Sequence, residues 1–121
     1  WKLDKLLFNA YNNGSILCGV SAGSICWFDK GVTDSWASNL NLINCLGFVE
    51  GTNCPHYNSE IDREPSVHKF VKDNKIKSCF ASDDGSALHF KDGKPYIKDG
   101  NLIFKQQSKK ITKSKKTAIS L

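Results

Sequence analysis

Ser15-Ile16-Leu17-Cys18-Gly19-Val20-Ser21-Ala22-Gly23 is the stretch whose reading decides the fold. Residues 15–20 form a short apolar run, the pattern of a strand buried on both faces of a parallel sheet. Gly19 to Gly23 then spell G-x-S-x-G, which suits a nucleophile projecting from a sharp strand-to-helix turn where no bulky side chain crowds the backbone. A helix is expected from Ala22 to about Asp29, ending at Gly31. Its positive end would face the turn, and the Ala22 amide could donate to an oxyanion. On the pattern alone, a glycine-rich turn that merely packs is an equally good reading.

Upstream, residues 4–12 read as an amphipathic helix, with Asp4 as a cap and Asn13-Gly14 as its end. Downstream, residues 32–44 read as loop or broken helix, Leu46–Val49 as a strand and residues 50–60 as a loop. Glu64–Lys72 reads as a helix with Pro65 in its first turn. Lys75–Ala81 is a further strand. Ala87–Phe90, Lys94–Ile97 and Asn101–Lys105 are short runs separated by Lys-Asp-Gly turns, the signal of an antiparallel meander. Strands alternating with helices indicate an α/β layered fold. The apolar edge beside Ser15–Val20 would be bare, which isolated sheets avoid. The sheet is therefore expected to lack upstream strands, with an upstream half or a second copy of the chain covering the edge. The absence of methionine points the same way.

The chain has 121 residues, 40% hydrophobic and 24% charged, within the range of globular domains. No apolar stretch approaches the roughly 20 residues of a membrane helix. Its five cysteines are odd in number and follow no disulfide framework, which fits a reducing cytoplasm. There is no C-x-x-C pair, so no structural zinc is expected, and nothing calls for a cofactor. The formal charge of +5 comes from six lysines between Lys105 and the end. A nucleic-acid role would rest on that tail alone. It has no arginine and only Phe104 nearby as a stacking aromatic, so it reads as a solvated, flexible basic tail over 107–121.

A serine nucleophile needs a base. His68 falls inside a helix and His89 inside a strand, both natural places for structural histidines. His56, in Asn53-Cys54-Pro55-His56-Tyr57-Asn58, lies in a polar loop after a strand. Such loops gather at the carboxyl edge of a parallel sheet, beside the Ser21 turn, so His56 is the best base. The base needs an orienting acid. Asp34 is the choice, with Asp29, Glu60 and Asp62 as rivals that spacing does not exclude. Arg63 could pair with a substrate carboxylate, although a surface arginine in the charged run 60–64 is the plainer reading.

Gly-Val-Ser-Ala-Gly-Ser-Ile-Cys-Trp-Phe at 19–28, Thr-Asp-Ser at 33–35, Cys-Pro-His-Tyr at 54–57 and Ser-Asp-Asp-Gly-Ser-Ala-Leu-His-Phe at 82–90 together resemble the peptidase E (aspartyl dipeptidase) family of serine peptidases. The resemblance covers residues 1–106, as the C-terminal, catalytic part of that domain. It implies a three-layer α/β/α fold related to class I glutamine amidotransferases and cleavage of short peptides through an acyl-enzyme. It also implies Ser21 as nucleophile, His56 as base and Asp34 as third member. The family's upstream Gly-Gly-Asn type segment, a second oxyanion donor, has no counterpart here. Two rival readings are an inactive remnant serving as a structural or binding module, and a cysteine enzyme using Cys54.

Overall fold

The structure is a computed structural model describing residues 1–91 and 93–96 and two strands at 102–106 and 112–114. In chain order the elements are α1 (Leu3–Asn12), α2 (Ala22–Ile25), β1 (Phe28–Thr33), β2 (Asn41–Asn44), β3 (Val49–Cys54), α3 (Arg63–Lys72), β4 (Ser78–Ser82), β5 (Phe90–Lys91), β6 (Lys94–Pro95), β7 (Leu102–Gln106) and β8 (Thr112–Ser114). Among the described residues the main sheet runs β2-β1-β3-β4-β7-β8. β1, β3 and β4 are parallel, while β2, β7 and β8 pair antiparallel outside them. The α/β class read from the sequence is the class observed.

The parallel strands have two faces because side chains alternate along a strand. On one face Val32, Cys54, Cys79 and Ala81 pack with Val67 and Phe70 of α3 and with Tyr57 and Ile76. On the other, Phe28 and Phe80 pack with Trp27, Val49, Leu88 and Phe90. The rings of Phe28, Phe80 and Phe90 meet at centroid distances of 5.4–5.7 Å, two of the three pairs edge to face. Phe28 and Val32 would share a face by strict alternation. A register shift between Phe28 and Lys30 puts them on opposite faces.

Several expected elements differ. Ser15–Val20 is not a strand: among the described residues no strand pairs with it, and Ile16 and Val20 are 90% and 86% exposed. An extended apolar run becomes a strand only with a partner to complete its ladder. The helix expected over 22–29 stops at Ile25, and β1 begins at Phe28 inside the expected helix. Gly31, read as a helix stop, lies within β1. A Cβ there would come within 1.9 Å of the Ile25 side chain, so the missing side chain lets α2 settle against the strand. The β1–β2 hairpin replaces the loop expected over 32–44, and β3 begins where the Leu46–Val49 strand was expected to end.

α1 and α3 form where expected. Asp4 does not cap α1, whose N-cap is Lys2 without a side-chain bond, but Gly14 ends it at φ 88°. β5 and β6 pair around Gly93, as the first Lys-Asp-Gly turn suggested. β7 instead joins the main sheet beside β4. β8 falls inside the tail read as flexible, and the remainder of 107–121 lies outside the described residues, as does the second turn at 98–101. Among the described residues no helix is long and apolar enough to cross a membrane.

All five cysteines are free thiols. Burial pushes the Cys54 thiol up from 9.0 to about 11, against the pull of the Arg63 guanidinium. Its folded-state value lies above the unfolded one, so its contribution is complete below about pH 9 and is lost as pH rises toward 11. A two-unit shift corresponds to about 3 kcal/mol. The thermal midpoint should therefore fall between pH 8 and pH 11, and by less in Cys54→Ala. An equal fall in both proteins would contradict this.

Candidate active site

The polypeptide bends sharply at Ser21, which adopts φ 52° and ψ −116°. This is a strained conformation for a residue with a side chain. Its carbonyl is the anchor: it accepts from the amides of Ser24 at 2.9 Å and Ile25 at 3.1 Å, and the Ser24 hydroxyl lies 2.7 Å away. Gly19 makes the bend possible, because a Cβ there would come within 2.0 Å of the Gly23 carbonyl oxygen. Gly23 contributes differently. A Cβ on it would meet nothing within 4 Å, so its backbone, rather than its missing side chain, occupies the crowded space. The amide of Ala22 donates no hydrogen bond among the described residues. α2 has only four residues, so this amide, rather than a helix dipole, is what the turn offers to an anion.

His56 follows β3 and also takes a positive φ, 56°. Its Nε2 lies 2.8 Å from Ser21 Oγ. Its Nδ1 lies 2.7 Å from Asp84 Oδ1. A carboxylate can only accept, so Nδ1 carries the proton and Nε2 is left bare to accept the Ser21 hydroxyl. Asp84 follows β4, the parallel neighbour of β3, and the two loops are cross-tied. The Tyr57 amide donates to the Ser82 carbonyl at 3.0 Å, and the Asp84 amide donates to Asn58 Oδ1 at 2.8 Å. Hydrogen bonds from Ser59 and from His56 hold the Asp84 carboxyl below its usual range. Those bonds favour the ionised form of the acid. The side chains of His56 and Asp84 are 30% and 52% exposed, which leaves the group open to solvent and to a substrate.

Ser21 and His56 are thus brought together, and Asp34 is not part of the constellation. Asp34 stands exposed at the β1–β2 turn, where its carbonyl accepts the Ala37 amide and its side chain makes no hydrogen bond among the described residues. The place expected for it is taken by Asp84. The physical reason is topological. β1 turns back at once into an antiparallel hairpin, whereas β4 delivers its following loop alongside that of β3. The rivals are occupied elsewhere: Asp29 accepts the Gly51 amide at 2.8 Å, Glu60 pairs with Arg63, and Asp62 sits at the N-cap of α3.

Arg63 likewise departs from its expected place. It is only 5% exposed, its Nη1 donates to the Val32 carbonyl at 2.9 Å, and its Nε donates to Glu60 at 2.7 Å. It ties α3 to β1 from within rather than awaiting a substrate carboxylate. His68 lies 3.5 Å from Glu64 on the surface of α3, and His89 packs edge-on against Tyr96. Cys54 is buried with a raised pKa, the opposite of a reactive thiolate.

Two comparisons with known proteins place the chain in a family. The profile of Peptidase family S51 matches residues 1–98. An uncharacterized peptidase of Bacillus subtilis (strain 168), YgaJ, is 49% identical over 90 residues, covering 74% of this chain and 39% of that protein. The chain thus spans well under half the length of that relative. With residues 1–98 matched, the chain belongs to peptidase family S51, the peptidase E family it resembled.

Proposed function

We infer that this chain carries the catalytic centre of a serine peptidase acting on short peptides, of dipeptidase type, with Ser21 as nucleophile, His56 as general base and Asp84 as the orienting acid. The observation that supports it is the unbroken Ser21–His56–Asp84 relay, with contacts of 2.8 and 2.7 Å. Ser21 attacks the peptide carbonyl as Nε2 of His56 takes its proton. The oxyanion is met by the Ala22 amide. His56, its charge balanced by Asp84, protonates the departing amine, and water then releases the acyl group from Ser21 by the reverse proton path. Five free thiols fit a reducing cytoplasm as the setting.

A second reading is favoured by the exposed Ile16 and Val20 beside the turn. It is a chain that keeps the fold and the relay but acts only once another polypeptide, an upstream half or a second copy, covers that face. A fluorophosphonate probe separates the two. The chain alone should take up one phosphonyl group, located at Ser21 by mass spectrometry and absent in Ser21→Ala. A folded chain that never labels would leave the second reading standing.

A further inference from the structure

Asn53 is wholly buried at 0% exposure, an unusual place for an amide side chain, and every polar atom of it is engaged. It lies on β3, three residues before His56. Nδ2 donates to the Phe80 carbonyl at 3.0 Å and reaches Ser82 Oγ at 3.4 Å, both on β4. A carbonyl can only accept, so this fixes which way the amide points. Oδ1 then faces the turn, where Ser24 Oγ lies 3.0 Å away. Ser24 Oγ also lies 2.7 Å from the Ser21 carbonyl, so its single proton is shared between the strained residue and the sheet. Among the described residues, this is a side-chain hydrogen-bond path from the bend at Ser21 to the strands that carry His56 and Asp84. α2 is a single turn with one buried residue, Ile25, which packs on Gly31 of β1, so the hydrogen bonds of Ser24 are its link to β3.

We propose that Asn53 is a positioning residue that, through Ser24, sets the reach of Ser21 Oγ to His56 Nε2. The proposal rests on the serine-nucleophile reading above. Asn53 touches no reacting atom; it holds the bend against the sheet end so that the strain at Ser21 does not relax away from the imidazole. A displacement of about 1 Å in such a pair typically costs about 10²-fold in rate.

The test uses the full 121-residue chain and its Asn53→Ala, Ser24→Ala and double variants. Ser24→Ala leaves the Asn53 bonds to β4 intact, so it stays informative if Asn53→Ala unfolds. Each folded variant should show a maximal fluorophosphonate labelling rate lowered by about 10- to 100-fold at unchanged half-saturating probe concentration. The double variant should be no slower than the worse single, because both remove one path. Unchanged rates per folded molecule, or effects that multiply, would overturn the proposal. Amide exchange at Ser24 and Ile25 supplies a readout independent of labelling. It should quicken by about tenfold in the variants while the β3–β4 ladder stays protected. If the parent chain never labels, the reading of a chain active by itself fails on its own; quickened exchange then still supports the role of Asn53, and unchanged exchange overturns it.

Discussion

Asp84→Asn is expected to lower the rate of Ser21 acylation by about 10⁴-fold, the usual cost of losing the acid that sets the tautomer of the base. Asp34→Asn should stay within about threefold, as surface changes do. Asparagine keeps the size of Asp84 but can turn its NH₂ toward Nδ1 of His56. The ring proton then moves to Nε2, and the Ser21 hydroxyl, 2.8 Å away, loses its acceptor. Ser59 and His56 keep the acid ionised by their hydrogen bonds, so the loss should persist at every pH where the parent chain labels. Labelling rates read by intact-mass spectrometry decide. A large fall in Asp34→Asn with little change in Asp84→Asn would return Asp34 to the site.

The second large effect is at Gly19. An alanine Cβ there would lie 2.0 Å from the Gly23 carbonyl oxygen and 2.3 Å from its carbonyl carbon. Both atoms are backbone and cannot swing aside, so the bend itself must open. Overpacking typically costs about 1–3 kcal/mol, and the upper end applies where only backbone can yield. Gly19→Ala should therefore lower the thermal midpoint and abolish labelling of Ser21. Gly23→Ala, whose Cβ would stand in open space, should fold and label at close to the parent rate. Equal behaviour of the two variants would contradict the geometry of the turn.

How much of this was legible beforehand depends on the range of the signal. The G-x-S-x-G turn, α3 and the choice of His56 over His68 and His89 rest on local pattern and on the rule that loops gather at the carboxyl edge of a parallel sheet. The acid chosen from the sequence, Asp34, is not the one the structure sets beside His56, because the choice rested on order along the chain and the carboxyl-edge rule was not carried to the loop after β4. Asp34 is near in sequence, whereas Asp84 is 28 residues beyond His56 and becomes its neighbour only when β3 and β4 pair. The available signal was an acid directly after the next parallel strand, within Ser-Asp-Asp-Gly at 82–85. β1 was missed because Gly31 was weighed as a breaker, while the β-branched Val32 and Thr33 beside it were not weighed as strand formers. Arg63 was misplaced because a charged run hides which of its members turns inward.

Ser21 stands ahead of β1, while its two partners ride on loops that follow β3 and β4, so no short piece of chain holds more than one of the three. A ribosome must deliver about sixty further residues after Ser21 before His56 and Asp84 can both be in place. Until the parallel strands zip together, the hydroxyl has the reactivity of any alcohol in water. The gap between synthesis and assembly is thus a built-in delay: the meeting of Ser21, His56 and Asp84 waits on the pairing of β3 with β4.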